Sequence, residues 1–150
     1  MDVQAYLNRI GFTGAVTLST DTLIDLARLH MYHVPFENLD IHYQQRIDLK
    51  MASLYQKIVV RKRGGFCYEL NGLFCELLVQ LGFNAHMVSA RVFTKAKKYS
   101  PEFDHMAIWL VLNDISYLVD VGFGDFIIEP LQIIPALIQS NSSGEFVIDA

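Results

Sequence analysis

The spacing of apolar residues changes once along this chain, near Gly82, and that change limits the possible folds more than any other feature. Before it the pattern is helical. Asp2 can cap a helix in which Val3, Tyr6, Leu7 and Ile10 share a face and Gly11 ends the run. Ser19 and Thr20 open a second helix with Leu23, Leu26, Ala27 and His30 on one side, and it must stop before Pro35. The segment Phe36 to Gln45 has no clean period and reads as a loop. A third helix runs from about Met51 to Arg61, with Leu54, Ile58 and Val59 inward. Gly64 and Gly65 break the pattern, and a fourth helix carries Leu70, Leu73, Phe74, Leu77, Leu78 and Leu81. After Gly82 the period becomes 2. Met87 to Phe93, Met106 to Leu112 and Ser116 to Val121 are rich in β-branched and aromatic residues, as strands are. Lys95 to Pro101 is a polar connection, and the tail from Ser140 is loop followed by the start of a strand at Gly144 to Ile148. Helices followed by strands predict an α+β fold whose strands pair antiparallel.

The length, 150 residues, is that of one domain, and 52% hydrophobic residues are enough for a core. A net charge of −4 gives no global basic field, so nucleic acid is not an expected partner. The one basic run, Arg61-Lys62-Arg63, reads first as a solvated helix end. Charges interrupt every apolar stretch well short of the roughly 20 residues a membrane span needs, and the acidic, amphipathic N-terminus does not read as a secretory signal. Cys67 and Cys75 on one helix would lie about 12 Å apart along its axis, too far for a disulfide. Free thiols and no signal predict a reducing, cytoplasmic setting. The histidines His30, His33, His42 and His86 have no metal-ligand spacing with the cysteines, so no metal is expected, and no phosphate loop of Walker or dinucleotide type is present.

Cys67 is the centre of the chemistry. It follows Arg63-Gly64-Gly65-Phe66 and begins the fourth helix, where free N–H groups and partial positive charge favour a thiolate, the reactive form of cysteine. The two glycines would let the backbone approach a substrate closely. Cys75, among Phe74, Leu77 and Leu78, reads as core. A nucleophile needs a base, and the base an orienting partner. His105 heads the strand His105 to Leu110, and Asp120 ends the strand Tyr117-Leu118-Val119. A carboxylate inside an apolar strand is unusual unless it has a partner. If Asn113-Asp114 is a two-residue hairpin loop, Leu112 faces Ile115, Ala107 faces Asp120, and His105 reaches Asp120 on a same-face diagonal of about 7–8 Å. A four-residue loop would set His105 directly opposite Asp120; a register of the other parity would separate them. Gly122-Phe123-Gly124 is a turn that could place an N–H or an aromatic wall beside the thiolate, although any strand exit looks similar.

Four stretches in order resemble the arylamine N-acetyltransferase family: Val34-Pro35-Phe36-Glu37-Asn38-Leu39, then Arg63-Gly64-Gly65-Phe66-Cys67-Tyr68-Glu69-Leu70-Asn71, then His105 at the head of an apolar strand, then Val119-Asp120-Val121-Gly122-Phe123-Gly124. The resemblance implies that Cys67 is the acetylated nucleophile, His105 its base and Asp120 the orienter. It implies that Glu37 and Arg63 form a structural ion pair beneath the site, and that Phe36, Val92 and Phe123 wall the acceptor pocket. The implied fold is a helical bundle over residues 1–83 carrying the nucleophile, then an incomplete antiparallel β-barrel over residues 84–150 carrying the base and its orienter, with a Cys-His-Asp core like that of cysteine proteinases. A third, lid domain of the family has no counterpart in the sequence. The implied reaction transfers an acetyl group from acetyl-coenzyme A, a co-substrate rather than a bound cofactor, through acetyl-Cys67 to an arylamine or hydrazine. The same triad would also serve a cysteine hydrolase or an amide synthase, and a non-catalytic remnant is the alternative of a different class. An uncovered sheet edge would favour self-association.

Overall fold

The computed structural model describes residues 1–124 and 126–149. Side-chain caps start the first two helices. Asp2 accepts the Ala5 N–H at 3.0 Å to start α1 (Val3–Ile10), and Gly11, at φ 75°, closes it in the left-handed region. Ser19 accepts the Thr22 N–H to start α2 (Thr20–His33), which ends at the residue pair Val34-Pro35. The segment after Pro35 departs from the expected loop: a one-turn helix, α3 (Leu39–His42), forms within it. The third expected helix is α4 (Met51–Tyr55), and its continuation widens into a π-turn (Gln56–Val60). Helix α5 (Cys67–Gln80) is central: every residue from Glu69 to Cys75 is buried.

The strands are β1 (Asn84–Ala90), β2 (His105–Leu112), β3 (Ile115–Val119) and β4 (Leu131–Gln132), antiparallel in the order β1-β2-β3-β4. The first begins before Met87 and ends at Ala90 rather than Phe93. The sheet is open; among the described residues the strands do not close into a barrel. A separate hairpin pairs β5 (Gln139–Asn141) with β6 (Gly144–Phe146), so the tail strand pairs with the segment just before it. Pro135 also bridges Ile148. Helix α5 packs on β1 and β2, and the core joins Tyr6, Leu26, Leu73 and Phe74 of the bundle to Ile108, Leu110 and Val119 of the sheet. No helix among the described residues is long and apolar enough to cross a membrane.

This packing fixes the site, because the start of α5 lies beside the head of β2 and the end of β3. The hairpin sets the register. Leu112 faces Ile115 and Ile108 faces Val119, with Asn113 (φ 51°) and Asp114 (φ 62°) both left-handed, as the two-residue loop requires.

Candidate active site

Cys67 is the first residue of α5 and is partly exposed. The preceding Phe66 is extended (φ −94°, ψ 179°), and its N–H donates to Glu69 Oε2 at 3.1 Å. The two glycines before it make room for protein rather than substrate. A Cβ on Gly64 would fall on the Pro35 carbonyl oxygen, and one on Gly65 would stand 2.9 Å from Glu69 Oε2. That proximity lets the Glu37 N–H donate to the Gly65 carbonyl at 2.8 Å and the Gly65 N–H to the Pro35 carbonyl at 3.3 Å. The cysteine turn is thereby strapped to the loop after α2.

His105 and Asp120 meet as the two-residue hairpin demands. His105 Nε2 lies 2.6 Å from Asp120 Oδ2, with both residues buried. This engagement leaves Nδ1 as the ring nitrogen available to the Cys67 thiol. Burial alone would lower the pKa of His105. Hydrogen bonds and charge from Asp120 and from the Cys67 sulfur outweigh burial and raise it to about 9. The buried Asp120 carboxylate against Nε2 thus favours a protonated imidazole at His105. By contrast, burial and then Glu76 push the Cys75 thiol up, away from reactivity at neutral pH.

Asp120 is itself fixed by α5. Its Oδ1 accepts from Asn71 Nδ2 and from the Gly122 N–H, each at 2.9 Å. The same Asn71 donates to the Met106 carbonyl at 2.6 Å and accepts the Val121 N–H at 2.9 Å, so one fully buried amide ties the helix to β2 and to the exit of β3. Gly122 completes the join: a Cβ there would stand 2.8 Å from both Cys67 Cα and Asn71 Nδ2. In the sequence Asn71 is marked only as a polar amide between Leu70 and the apolar stretch Leu73-Phe74.

Beneath the turn, Arg63 Nη2 contacts Glu37 Oε1 at 2.7 Å and Asp40 Oδ1 at 2.8 Å. Arg63 is therefore not a solvated helix end. Asp40 and the buried Lys57 belong to the same cluster, and the sequence reading singled out neither. A cavity of about 360 Å³ opens beside His105 and Asp120, walled by Val92, Phe93, Phe123 and Phe126. Phe123 meets the His105 ring edge-on at 5.2 Å and Phe126 at 5.4 Å. Phe36 is half exposed, bridges Gly65 and does not line this cavity, and Cys67 is also outside the lining. Among the described residues no group of three or more His, Cys, Asp or Glu side chains converges as a metal site.

A family profile described as N-acetyltransferase matches residues 19–150. The arylamine N-acetyltransferase pineal gland isozyme NAT-3 of Gallus gallus is 37% identical over 150 residues, covering 97% of this chain and 52% of that protein. The arylamine N-acetyltransferase of Escherichia coli (strain K12) is 34% identical over 142 residues, covering 94% of this chain and 50% of that protein. The solved arylamine N-acetyltransferase of Mycobacterium marinum superposes with a TM-score of 0.93 at 34% identity, covering 99% of this chain and 57% of that one. For the Salmonella typhimurium enzyme the TM-score is 0.90 at 31% identity, with 95% and 53% covered. The chain thus spans about half the length of the relatives it matches. On the profile match and these relatives, the chain belongs to the arylamine N-acetyltransferase family.

Proposed function

We propose that this chain carries the acyl-transfer site of an acetyl-coenzyme A:arylamine N-acetyltransferase, working in two steps through an acetyl-Cys67 intermediate. The observation that carries the reading is the buried His105–Asp120 hydrogen bond of 2.6 Å, with the strand exit at Gly122 packed directly against Cys67 at the start of α5. In the first step the Cys67 thiolate attacks the thioester carbonyl, and N–H groups of the first turn of α5 stabilise the oxyanion. The tetrahedral intermediate expels coenzyme A, whose sulfur takes the proton from His105. In the second step an amine attacks the acetyl-cysteine, His105 accepts the amine proton, and the amide leaves as the thiolate returns. Asp120 keeps Nε2 engaged and so fixes the imidazole orientation.

The aromatic cavity suits a flat acceptor ring, with Val92 and Phe123 as walls; Phe36 is left out of that wall. In this reading residues 1–83 present the nucleophile, and residues 84–150 present base and orienter from an antiparallel sheet that is part of a barrel, in the arrangement of cysteine proteinases. Free thiols at Cys67 and Cys75 fit a reducing, cytoplasmic setting.

The test is acetyl-coenzyme A consumption with and without an aromatic amine, on the wild-type chain and on Cys67→Ser. Amine-dependent consumption that Cys67→Ser abolishes is the expected result. Consumption that the amine leaves unchanged would make the site a hydrolase, and consumption that survives Cys67→Ser would remove Cys67 as the nucleophile.

A further inference from the structure

Lysine is seldom buried without a partner, yet Lys57 has only 5% of its surface exposed. It lies in the π-turn, where Lys57, Ile58 and Val59 are buried in succession. The Lys57 ammonium donates to both oxygens of Glu69 at 2.8 Å and lies 2.8 Å from Asp40 Oδ2 and 3.6 Å from Glu37 Oε1. Glu69 is 3% exposed, and its Oε2 accepts the N–H of Phe66, the residue before Cys67. The missing Cβ of Gly65 leaves that carboxylate lying against the cysteine turn.

We propose that Lys57 is a positioning residue for the nucleophile: it clamps the Glu69 carboxylate onto the Phe66 N–H and so fixes the start of the helix that presents Cys67. The inference rests on the reading of Cys67 as nucleophile. Arg63 is no substitute, because it reaches Glu37 and Asp40, not Glu69. Without Lys57 the Glu69 carboxylate is a buried charge with no cation. Such a group turns toward water or takes up a proton, and the Phe66 N–H loses a firm acceptor. Burial opposes the Lys57 charge, but hydrogen bonds to Asp40 and Glu69 more than offset it and hold its pKa above the ordinary lysine value.

The experiment follows amide exchange by NMR and iodoacetamide labelling of Cys67 against Cys75, in the 150-residue chain. In Lys57→Met, Phe66 protection should fall about tenfold, the size of one lost hydrogen bond, and Cys67 labelling should slow several-fold. Ile108 in β2 should keep its protection. Adding Glu69→Gln should restore both Phe66 protection and Cys67 labelling, because a neutral amide oxygen needs no cation to stay buried. A lysine with a merely structural role would instead lower protection everywhere, with no rescue. Should Lys57→Met not fold, the double variant and Lys57→Arg decide: Phe66 protection retained in both supports the clamp, and protection lost in either overturns it. Unchanged Phe66 protection in a folded Lys57→Met also overturns it. If wild-type Cys67 labels no faster than Cys75, the nucleophile assignment fails, and Phe66 exchange still reads the clamp by itself.

Discussion

Replacing Asn71 by leucine keeps the approximate volume of a fully buried side chain and removes its three hydrogen bonds. The Val121 N–H is left without an acceptor, at a cost of about 1–3 kcal/mol. The Met106 carbonyl and the Asp120 carboxylate each lose a donor, adding roughly 1 kcal/mol apiece. The total, about 3–5 kcal/mol, is a large part of the stability of a domain this size. A chain of 150 residues should then lose on the order of 10–15 °C in melting temperature. Urea titration and thermal unfolding measure this directly. Iodoacetamide labelling of Cys67 should fall as well, because Asp120 would keep only His105 and the Gly122 N–H among its present partners. A loss under about 1 kcal/mol with unchanged Cys67 labelling would show that Asn71 does not hold the helix and the two strand ends together.

Arg63→Ala should destabilise by about 1–3 kcal/mol, less than a fully buried pair would, because the Arg63 side chain is 34% exposed beside Glu37 and Asp40; an unchanged melting temperature would contradict this. His105 has a folded pKa of about 9 against an ordinary 6.5, so its contribution to stability is complete below about pH 6.5 and disappears as pH rises through about 9. His105→Gln should flatten that limb of the stability profile. His30 works in the opposite direction: burial and then Arg9 lower it to about 3, so stability should fall as pH drops from 6.5 toward 3, and His30→Leu should remove that slope. Because β1 has a partner on one side only among the described residues and exposes Met87, sedimentation should show concentration-dependent association; a monomer at every concentration would contradict this.

Local pattern carried much of the architecture. The change of period near Gly82, the helix starts at Asp2 and Ser19, and the helix that Cys67 begins are short-range features, written in residues a few positions apart. The pairing of His105 with Asp120 was readable because hairpin parity is set by the Asn113-Asp114 turn, and the observed register is one of the two that permitted it. What escaped depended on distant segments. Lys57 looked like any polar position near the end of a helix, since the carboxylates that bury it come from positions 37, 40 and 69. The role of Gly64 depends on where Pro35 passes, and that of Gly122 on where Cys67 sits. Likewise, the π-turn has no propensity signal of its own, and the partner of the tail strand is the poorly patterned segment Gln139–Asn141.

The central claim is that Cys67 accepts an acetyl group with His105 as its base. Intact mass spectrometry after incubation with acetyl-coenzyme A, followed by peptide mapping, tests it most directly. The account predicts the mass of one added acetyl group, located on Cys67 and not on Cys75, absent in Cys67→Ser, strongly reduced in His105→Gln, and lost again when an aromatic amine is added. Acetylation of Cys75 at the same rate, or none on a folded chain whose Cys67 is otherwise reactive to iodoacetamide, would contradict it.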